Sequence, residues 1–569
     1  MSVPSESTAL RPATPVEVVV DASAGSAAGH RSFRALAAPR VAVIIITWNR
    51  KEPVSQVLGA LSRQTFPIDR MDVVVVDNCS TDGTLEYLRQ KWGPEKVVQN
   101  PTDKAHEPNF QKPGREGRSL SPNTAGFGSF TIVQNHHNHG GCGGFNTGFA
   151  YVDQFLSTSA TGETLGYVWL VDDDVDLPPD ALENLAKVGE SDPTIGLVGS
   201  RTVDYNDRVT TIETTVYLDR RAGRMCDEPP IEHPLAASHR AWIGQVGAVR
   251  GGKGYSGLRE VDVVSACSML ARWSAVQKVG FWDYRYFIYC DDADWCLRMA
   301  RAGYRVVLNL DAVVFHTPWH HKLTPTRAYY AQRNVLWMLQ KVLPVEELRA
   351  VTWRWMLSTM KHALAAGTHR KLFQAEIMRR SLADMMNGTW GKLLDDGPKA
   401  EETIPGMDRV RVLRRGATIA VMCPHEGCIQ WADELRVQVE DWLTAQNRVG
   451  DVPEWVYIVR NDVRDVGAQP GLPRRVVYST RLRSKLRRQL GWLFRGPTAV
   501  VVFDQACDFP LLRGVYNVHI DRRQPTKAQI ERAGIRNLAG FLWRWTATAV
   551  RCTIFKTKLK THVSTTRYG

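Results

Sequence analysis

The chain has 569 residues, 44% of them hydrophobic and 9% aromatic, with a formal net charge of +13. That length exceeds one ordinary core and that composition excludes a disordered or fibrous chain, so two or more globular domains are expected. No uninterrupted run of about 20 apolar residues occurs, which excludes a membrane-spanning helix, and the excess positive charge favours polyanionic partners without choosing among them.

Residues 1–38 are rich in Ala, Ser and Pro and lack a basic segment followed by a compact apolar run. They read as a disordered leader, not as a secretory signal. A buried strand is expected over residues 41–46, closed by Thr47-Trp48-Asn49-Arg50, then a helical pattern through Val57, Leu58 and Leu61. A second buried strand over 73–76 ends in Asp77-Asn78-Cys79-Ser80-Thr81-Asp82-Gly83, and a helix over 84–91 follows. Strand, helix, strand, helix at this spacing is a βαβ unit of a parallel sheet, whose C-terminal strand ends are where ligands bind.

Residues 100–128 turn polar and rich in Pro and Gly, as a long loop would. Past Thr131-Ile132-Val133 comes a glycine-rich stretch from Asn138 to Gly148, which lacks dinucleotide-fingerprint spacing but permits close backbone approach to a ligand. A strand over 167–171 ends in Asp172-Asp173-Asp174. Residues 201–260 read as hairpins and loops, 274–279 and 291–302 as helices, and 306–315 as a last strand. Long Trp- and Arg-rich helical patterns then run from 326 to about 394. A Gly/Pro/acid linker over 395–406 leads into a second α/β module, with strands at 418–422, 455–460 and 499–503 and helices at 430–445 and 482–494.

The ten cysteines are scattered, as free thiols in a reducing cytoplasm would be. Cys423 and Cys428 flank His425, but no second ligand pair with zinc-like spacing follows. Nucleic acid is not an expected partner, because the basic run 481–488 is a signal of charge alone.

Three carboxylates at the tip of an apolar strand repel one another and call for a cation. Alternation along an extended strand lets Asp172 and Asp174 act together while Asp173 points away. Hard oxygen ligands suit Mg²⁺ or Mn²⁺ carried with a diphosphate. In Asp291-Asp292-Ala293-Asp294, one acid suffices to complement the dipole of the helix it begins; three after the aromatic run Tyr286-Phe287-Ile288-Tyr289 suggest a carboxylate acting as general base toward a hydroxyl. His316 ends its strand with His320 and His321 close behind, a pattern that suits a metal ligand.

Taken in order, these segments resemble the family 2 glycosyltransferases with a GT-A fold. The matching pieces include residues 44–50, 76–83, 138–148, Asp172-Asp173-Asp174, Cys290-Asp291-Asp292-Ala293-Asp294, Gly303-Tyr304, His316 and Tyr329-Tyr330-Ala331-Gln332-Arg333-Asn334. The resemblance covers roughly residues 40–340, and within the family the sequence is most similar to bacterial galactofuranosyltransferases and rhamnosyltransferases. Cys290 departs from that pattern, where an aromatic residue is usual.

The resemblance implies an α/β GT-A domain over 39–325 with a mixed, mainly parallel sheet; the residue patterns beyond it read as a helical extension over 326–396 and a second, smaller α/β accessory domain over 407–569. The resemblance implies that Thr47 and Asp77 hold the nucleotide, with Arg50, Asn78 and Asp173 nearby and Asn138 and Gly144 lining the donor site. Asp172, Asp174 and His316 would hold Mg²⁺ or Mn²⁺, Asp292 would be the base, and Asp291 would recognise hydroxyls. The implied activity is inverting hexosyl transfer from a nucleotide-diphosphate sugar to a glycan or lipid-linked glycan in cell-envelope polysaccharide synthesis. The missing Gln-x-x-Arg-Trp motif argues against a translocating enzyme. The basic, aromatic C-terminus around Trp543 and Trp545 leaves open a peripheral contact with an anionic membrane at the inner face of the plasma membrane, or a membrane-surface scaffold on a degenerate transferase fold.

Overall fold

The computed structural model describes residues 38–111, 123–246, 255–318, 325–368, 371–393, 399–461, 463, 473–479, 496–503, 514–520 and 525–559. The leader up to residue 37, His320, His321 and the expected helix at 482–494 lie outside the described residues.

The first half folds into a nine-stranded sheet and its covering helices. In chain order these are β1 (Val41–Thr47), α1 (Lys51–Leu61), β2 (Met71–Asp77), α2 (Thr84–Trp92), β3 (Lys96–Asn100), β4 (Ser129–Asn135), α3 (Gly140–Phe155), β5 (Tyr167–Asp172), α4 (Ala181–Ser191) and β6 (Ile195–Asp204). A small hairpin, β7 (Tyr217–Asp219) and β8 (Arg224–Cys226), leads to α5 (Ala236–Val246), β9 (Leu258–Glu260), β10 (Ser268–Arg272), α6 (Trp273–Val279), α7 (Asp291–Arg301) and β11 (Arg305–His316). The strand order is β3-β4-β2-β1-β5-β10-β6-β11-β9. Strands β3, β4, β2, β1 and β5 are parallel, and β10 runs antiparallel between β5 and β6. This mixed, mostly parallel sheet is the expected GT-A arrangement.

Period-two alternation divides the core. Ala42 and Ile44 join Phe145 and Phe149 of α3 on one face, while Val41, Val43 and Ile45 join Leu58 of α1 and Leu182 and Leu185 of α4 on the other. The parallel register brings Thr47 beside Asp77 and Ile46 beside Asp172, so their polar tips emerge together at one sheet edge.

Several elements differ from the sequence expectation. The glycine-rich stretch, expected to permit close backbone approach to a ligand, begins helix α3. A Cβ on Gly144 would lie 2.7 Å from Ile46 Cγ2, and one on Gly148 would lie 2.4 Å from Ile44 Cγ2. These glycines therefore let helix and strand pack closely, and Gly144 faces the sheet instead of lining a donor site. Residues 201–260, expected as hairpins and loops, also contain the end of β6 and helix α5.

Helices α8 (Pro325–Val342), α9 (Val345–Thr368) and α10 (Leu372–Asn387) follow. The linker expected over 395–406 instead contains β12 (Glu401–Glu402) and the start of α11 (Thr403–Arg409). Then come β13 (Thr418–Cys423), α12 (Glu426–Ala445), β14 (Glu454–Arg460), β15 (Arg474–Tyr478), β16 (Ala499–Phe503), β17 (Tyr516–Ile520) and β18 (Lys527–Arg532). The second sheet is ordered β12-β18-β17-β16-β13-β14-β15. The last helix, Ile535–Lys558, packs on α9 and α10. Its Phe541 packs on Gly367 of α9, and Trp545 Nε1 donates to the Met360 carbonyl at 2.8 Å.

No helix among the described residues is long and apolar enough to cross a membrane. The α3–β1 seam gives a direct test of the packing. Gly148→Val forces a branched side chain into Ile44 and is expected to lower stability by about 1–3 kcal/mol, read as a reduced urea midpoint; an unchanged midpoint would contradict a tight seam.

Candidate functional site

Only Asp172 of the acidic triplet lies in β5; Asp173 and Asp174 form the turn that follows. The turn still sorts them to two sides. Asp173 is buried, accepting from Thr47 Oγ1 at 2.8 Å and from Arg50 Nη1 at 3.2 Å. Burial pushes its carboxyl up to about 7 against the pull of Arg50. Asp172 and Asp174 instead meet His316, which β11 delivers: His316 Nε2 lies 3.1 Å from Asp174 Oδ1 and 3.7 Å from Asp172 Oδ2. Arg50 links the two sides, reaching Asp174 Oδ2 at 2.6 Å.

One ligand atom from each of Asp172, Asp174 and His316 lies within 4.8 Å of the others, and no other such group occurs among the described residues. Two carboxylate oxygens and an imidazole nitrogen are a donor set that fits Mn²⁺ or Mg²⁺. Cys423, Cys428 and His425 form no comparable group; Cys428 Sγ sits 3.3 Å from His425 Nε2.

The loops after β1 and β2 are stitched together. Asn49 N donates to Ser80 Oγ at 2.9 Å, Thr81 N donates to Asn49 Oδ1 at 2.7 Å, and Asn78 N donates to the Thr47 carbonyl at 2.8 Å. Asp77 is fully buried, and its Oδ1 accepts from Ser80 N at 3.0 Å. Its Oδ2 is buried without a hydrogen-bond partner, an acceptor left open at the sheet edge. Burial raises this carboxyl above its usual range.

Asn78 was expected beside the nucleotide, yet its amide is used internally. Nδ2 donates to the Gly140 carbonyl at 2.9 Å and to Asn138 Oδ1 at 3.3 Å; Oδ1 accepts from Asn135 Nδ2 and His139 N, each at 3.1 Å. Those four bonds saturate the amide. Asn78 thus holds the entry to α3, and half-buried Asn138 shares that latch through its bond from Gly140 N.

Helix α7 brings the second acidic group to the same cleft. Asp291 is buried and Asp292 half-buried. Burial lifts both carboxyls, Asp291 to about 8 and Asp292 to about 6, and the charge of Asp172 pushes each the same way. Asp292 accepts from Ala293 N at 2.7 Å, and the Ala266 backbone lies close enough to favour its charge. The next residue, Cys267, accepts through its carbonyl from Asp172 N at 3.2 Å.

The third acid, Asp294, is structural. It is fully buried with Arg298 Nε at 2.9 Å and Lys341 Nζ at 2.7 Å, and Lys341 also reaches Asp283 at 3.1 Å.

The loop entering α7 has left-handed backbone at Phe287, Tyr289 and Cys290, with φ of 66°, 69° and 65°. Such strain persists only where neighbours overdetermine it. Here Asn334 Nδ2 donates to the carbonyls of Tyr286, Ile288 and Tyr289 at 2.8–3.0 Å, and Arg333 binds those of Arg285 and Tyr286. Sequence reasoning assigned these two residues no role, although the Tyr329–Asn334 segment was visible within the resemblance. A polar pair mid-helix is indistinguishable from a solvated face until its burial is known.

Residues 42–111 and 120–241 match the model of Glycosyl transferase family 2. This segment is similar to family 2 glycosyltransferases. The match includes Thr47, Arg50, Asp77 and the Asp172–Asp174 triplet and stops before Asp291, Asp292 and His316. The Haloferax volcanii glycosyltransferase AglE is 46% identical over 52 residues, which are 9% of this chain and 17% of that protein. The Staphylococcus aureus poly(ribitol-phosphate) beta-N-acetylglucosaminyltransferase TarS is 39% identical over 51 residues, 9% of each chain. The chain thus spans under a fifth of the length of these relatives. Among solved structures, the Pyrobaculum calidifontis mannosyltransferase PcManGT, in complex with GDP-Man and Mn2+, aligns over 72% of this chain and 85% of its own at 16% identity and a TM-score of 0.33. The S. aureus TarS structure aligns over 61% and 49% at 14% identity and a TM-score of 0.36.

The buried ion cluster beneath the acids provides a test of how the site is held. Lys341→Met leaves Asp283 and Asp294 short of a cation and is expected to destabilise the protein by about 3–5 kcal/mol, measured by urea unfolding. A loss below about 1 kcal/mol, the worth of a surface pair, would contradict the buried role.

Proposed function

We propose that the protein is an inverting, divalent-metal-dependent glycosyltransferase. It moves a hexosyl group of galactofuranose or rhamnose type from a nucleoside-diphosphate sugar to a hydroxyl of a glycan or lipid-linked glycan. The observation carrying this reading is the convergence of Asp172, Asp174 and His316 with Asp291 and Asp292 in one cleft at the strand ends. The galactofuranose or rhamnose choice and a role in cell-envelope polysaccharide synthesis on the cytoplasmic side rest on the sequence resemblance.

In this mechanism Asp77, with its unbonded Oδ2, accepts an N–H of the base, and beside it Thr47 and Arg50 both donate to Asp173 and hold it in place. Asp172, Asp174 and His316 would hold Mg²⁺ or Mn²⁺ against the diphosphate. Such a cation supplies positive charge opposite the departing phosphate oxygens. Asp292 takes the proton of the acceptor hydroxyl while that oxygen bonds to the anomeric carbon from the face opposite the leaving group. The bond from that carbon to the diphosphate oxygen breaks in the same step, releasing the nucleoside diphosphate and inverting the anomeric centre. Asp291, whose carboxyl burial and the neighbouring Asp292 charge push up, can donate to a sugar oxygen when protonated. The last helix exposes Trp543, Val550 and Ile554 along one face with Arg551 and Lys558 beside them, which supports a peripheral contact with anionic lipid.

A panel of UDP-galactofuranose, dTDP-rhamnose and UDP-GlcNAc, assayed for nucleoside diphosphate release and product mass, tests the activity. Release should occur with at least one donor, stop with EDTA and return with Mn²⁺ or Mg²⁺; chelator-resistant turnover would remove the metal from the account. Asp292→Asn is expected to lower kcat by about 10²–10⁴-fold with nucleotide affinity retained, and near-normal turnover would remove Asp292 as base. The base must be ionised, and burial raises Asp292 to about 6. Activity is therefore present above that value and lost as the pH falls through it, by about tenfold in kcat/KM per further pH unit. A flat profile down to pH 4.5 would contradict this.

A further inference from the structure

Folding explains only one side of the last helix. Its Phe541, Thr548 and Cys552 are buried against α9 and α10, and Trp545 is bonded to α9. On the other side Trp543, Val550 and Ile554 remain 77%, 56% and 51% exposed. Spacings of seven and four residues put these three on one helix face. An apolar residue exposed singly needs no explanation, but a row of them that includes a tryptophan marks a contact surface.

Charge decides what the contact is. The helix carries Arg536, Arg544, Arg551, Lys556 and Lys558 and no acidic residue. Arg544, Arg551 and Lys558 are exposed and recur every seven residues, so they form a second row roughly 100° round the helix from the apolar one. Their charge is little offset by neighbours. Arg544 Nε lies 3.4 Å from Glu376, but Arg379 Nε holds that carboxylate at 3.0 Å, and Arg551 donates to the neutral Asn387. Helix α9 continues the pattern, with no acid beyond Glu347 and with Arg354, Leu357 and Lys361 exposed. A second copy of the chain meeting this face would set one acid-free cationic helix against another. An anionic bilayer satisfies both rows, taking the apolar one among its acyl chains and the cationic one among its headgroups. No described helix is long and apolar enough to cross a membrane, so the contact lies along the surface.

We propose that the exposed side of the last helix and its neighbour α9 docks flat on an anionic lipid bilayer, and that the acceptor is a lipid-linked glycan held in that bilayer. The docking stands by itself; the statement about the acceptor rests on the glycosyltransferase reading.

The test uses the full chain with phosphatidylcholine vesicles made with and without phosphatidylglycerol, followed by co-sedimentation. The protein should bind the anionic vesicles, less so as salt is raised, and leave the zwitterionic ones in suspension. Trp543→Ser is expected to weaken binding about tenfold or more, and Arg551→Gln and Lys558→Gln about fivefold each. Because these side chains are exposed, the variants should keep the urea midpoint and the UDP affinity of the wild type. Four results would overturn the docking: no binding to anionic vesicles, equal binding to phosphatidylcholine alone, undiminished binding by all three variants, or variants that no longer fold. A dimer in sedimentation that Trp543→Ser converts to monomer would assign the face to a second copy and also overturn it. For the acceptor, transfer to a hexadecyl glycoside of galactofuranose or rhamnose embedded in the vesicles should fall in Trp543→Ser as binding does, while transfer to the soluble methyl glycoside stays within about twofold. Equal effects on the two acceptors would refute the membrane-held acceptor. Vesicle binding that depends on these residues, with no sugar transferred from any donor, would leave the docking in place and refute the transferase reading.

Discussion

Like charges held close together are the constraint around which the first half of this protein is organised. Asp172, Asp174, Asp291 and Asp292 share one cleft, and the charge of Asp172 disfavours ionisation of both α7 acids. Left to themselves such groups would separate or take up protons. Three devices hold them. Arg50 and His316 place positive or proton-donating groups against the triplet. The Asp283–Lys341–Asp294–Arg298 cluster anchors α7 from beneath. Arg333 and Asn334 fasten the strained turn that aims Asp291 and Asp292. The devices draw on several elements, two of them sharing α8, so the cleft exists only when β1, β5, β11, α7 and α8 are all in place.

That dependence explains what the sequence discloses and what it hides. The β-branched runs at 41–46 and 73–76 announce buried parallel strands because nothing else accommodates them, and the polar tips that follow must lie at the strand ends. The acidic triplet and His316 are legible for the same reason. The reasoning behind the triplet was only partly right: the two sides are separated by a turn after Asp172, not by alternation along a continuous strand. The glycines at 140–148 were misread because composition shows that backbone can approach closely but not what it approaches; here the partners are Ile44, Ile46 and Phe287. Asn78 illustrates the converse limit, since a polar residue at a strand end can serve the ligand or the loop, and counting its four bonds decides for the loop. Arg333 and Asn334 went unnoticed because their meaning lies in burial and in partners distant along the chain.

The second half has a different logic. Strands β15, β14, β13, β16 and β17 are parallel, with the order turning back between β13 and β16, and this sheet has its own core. It joins the first half through helices: Glu531 of β18 accepts from Phe373 N at the start of α10, and α10 in turn packs on α8. Because α8 also carries Arg333, Asn334 and Lys341, the helical layer that supports the cleft is continuous with the one that contacts the second sheet.

The central claim is that one cleft gathers a cation site and a base around a nucleotide sugar. Anomalous diffraction at the manganese edge, from crystals grown with Mn²⁺ and UDP, tests it most directly. The account expects a single strong peak bonded to Asp172, Asp174 and His316, with diphosphate oxygens on its open side and the base against Asp77. Manganese bound elsewhere, or UDP seated in the cleft with no peak between those three residues, would contradict it.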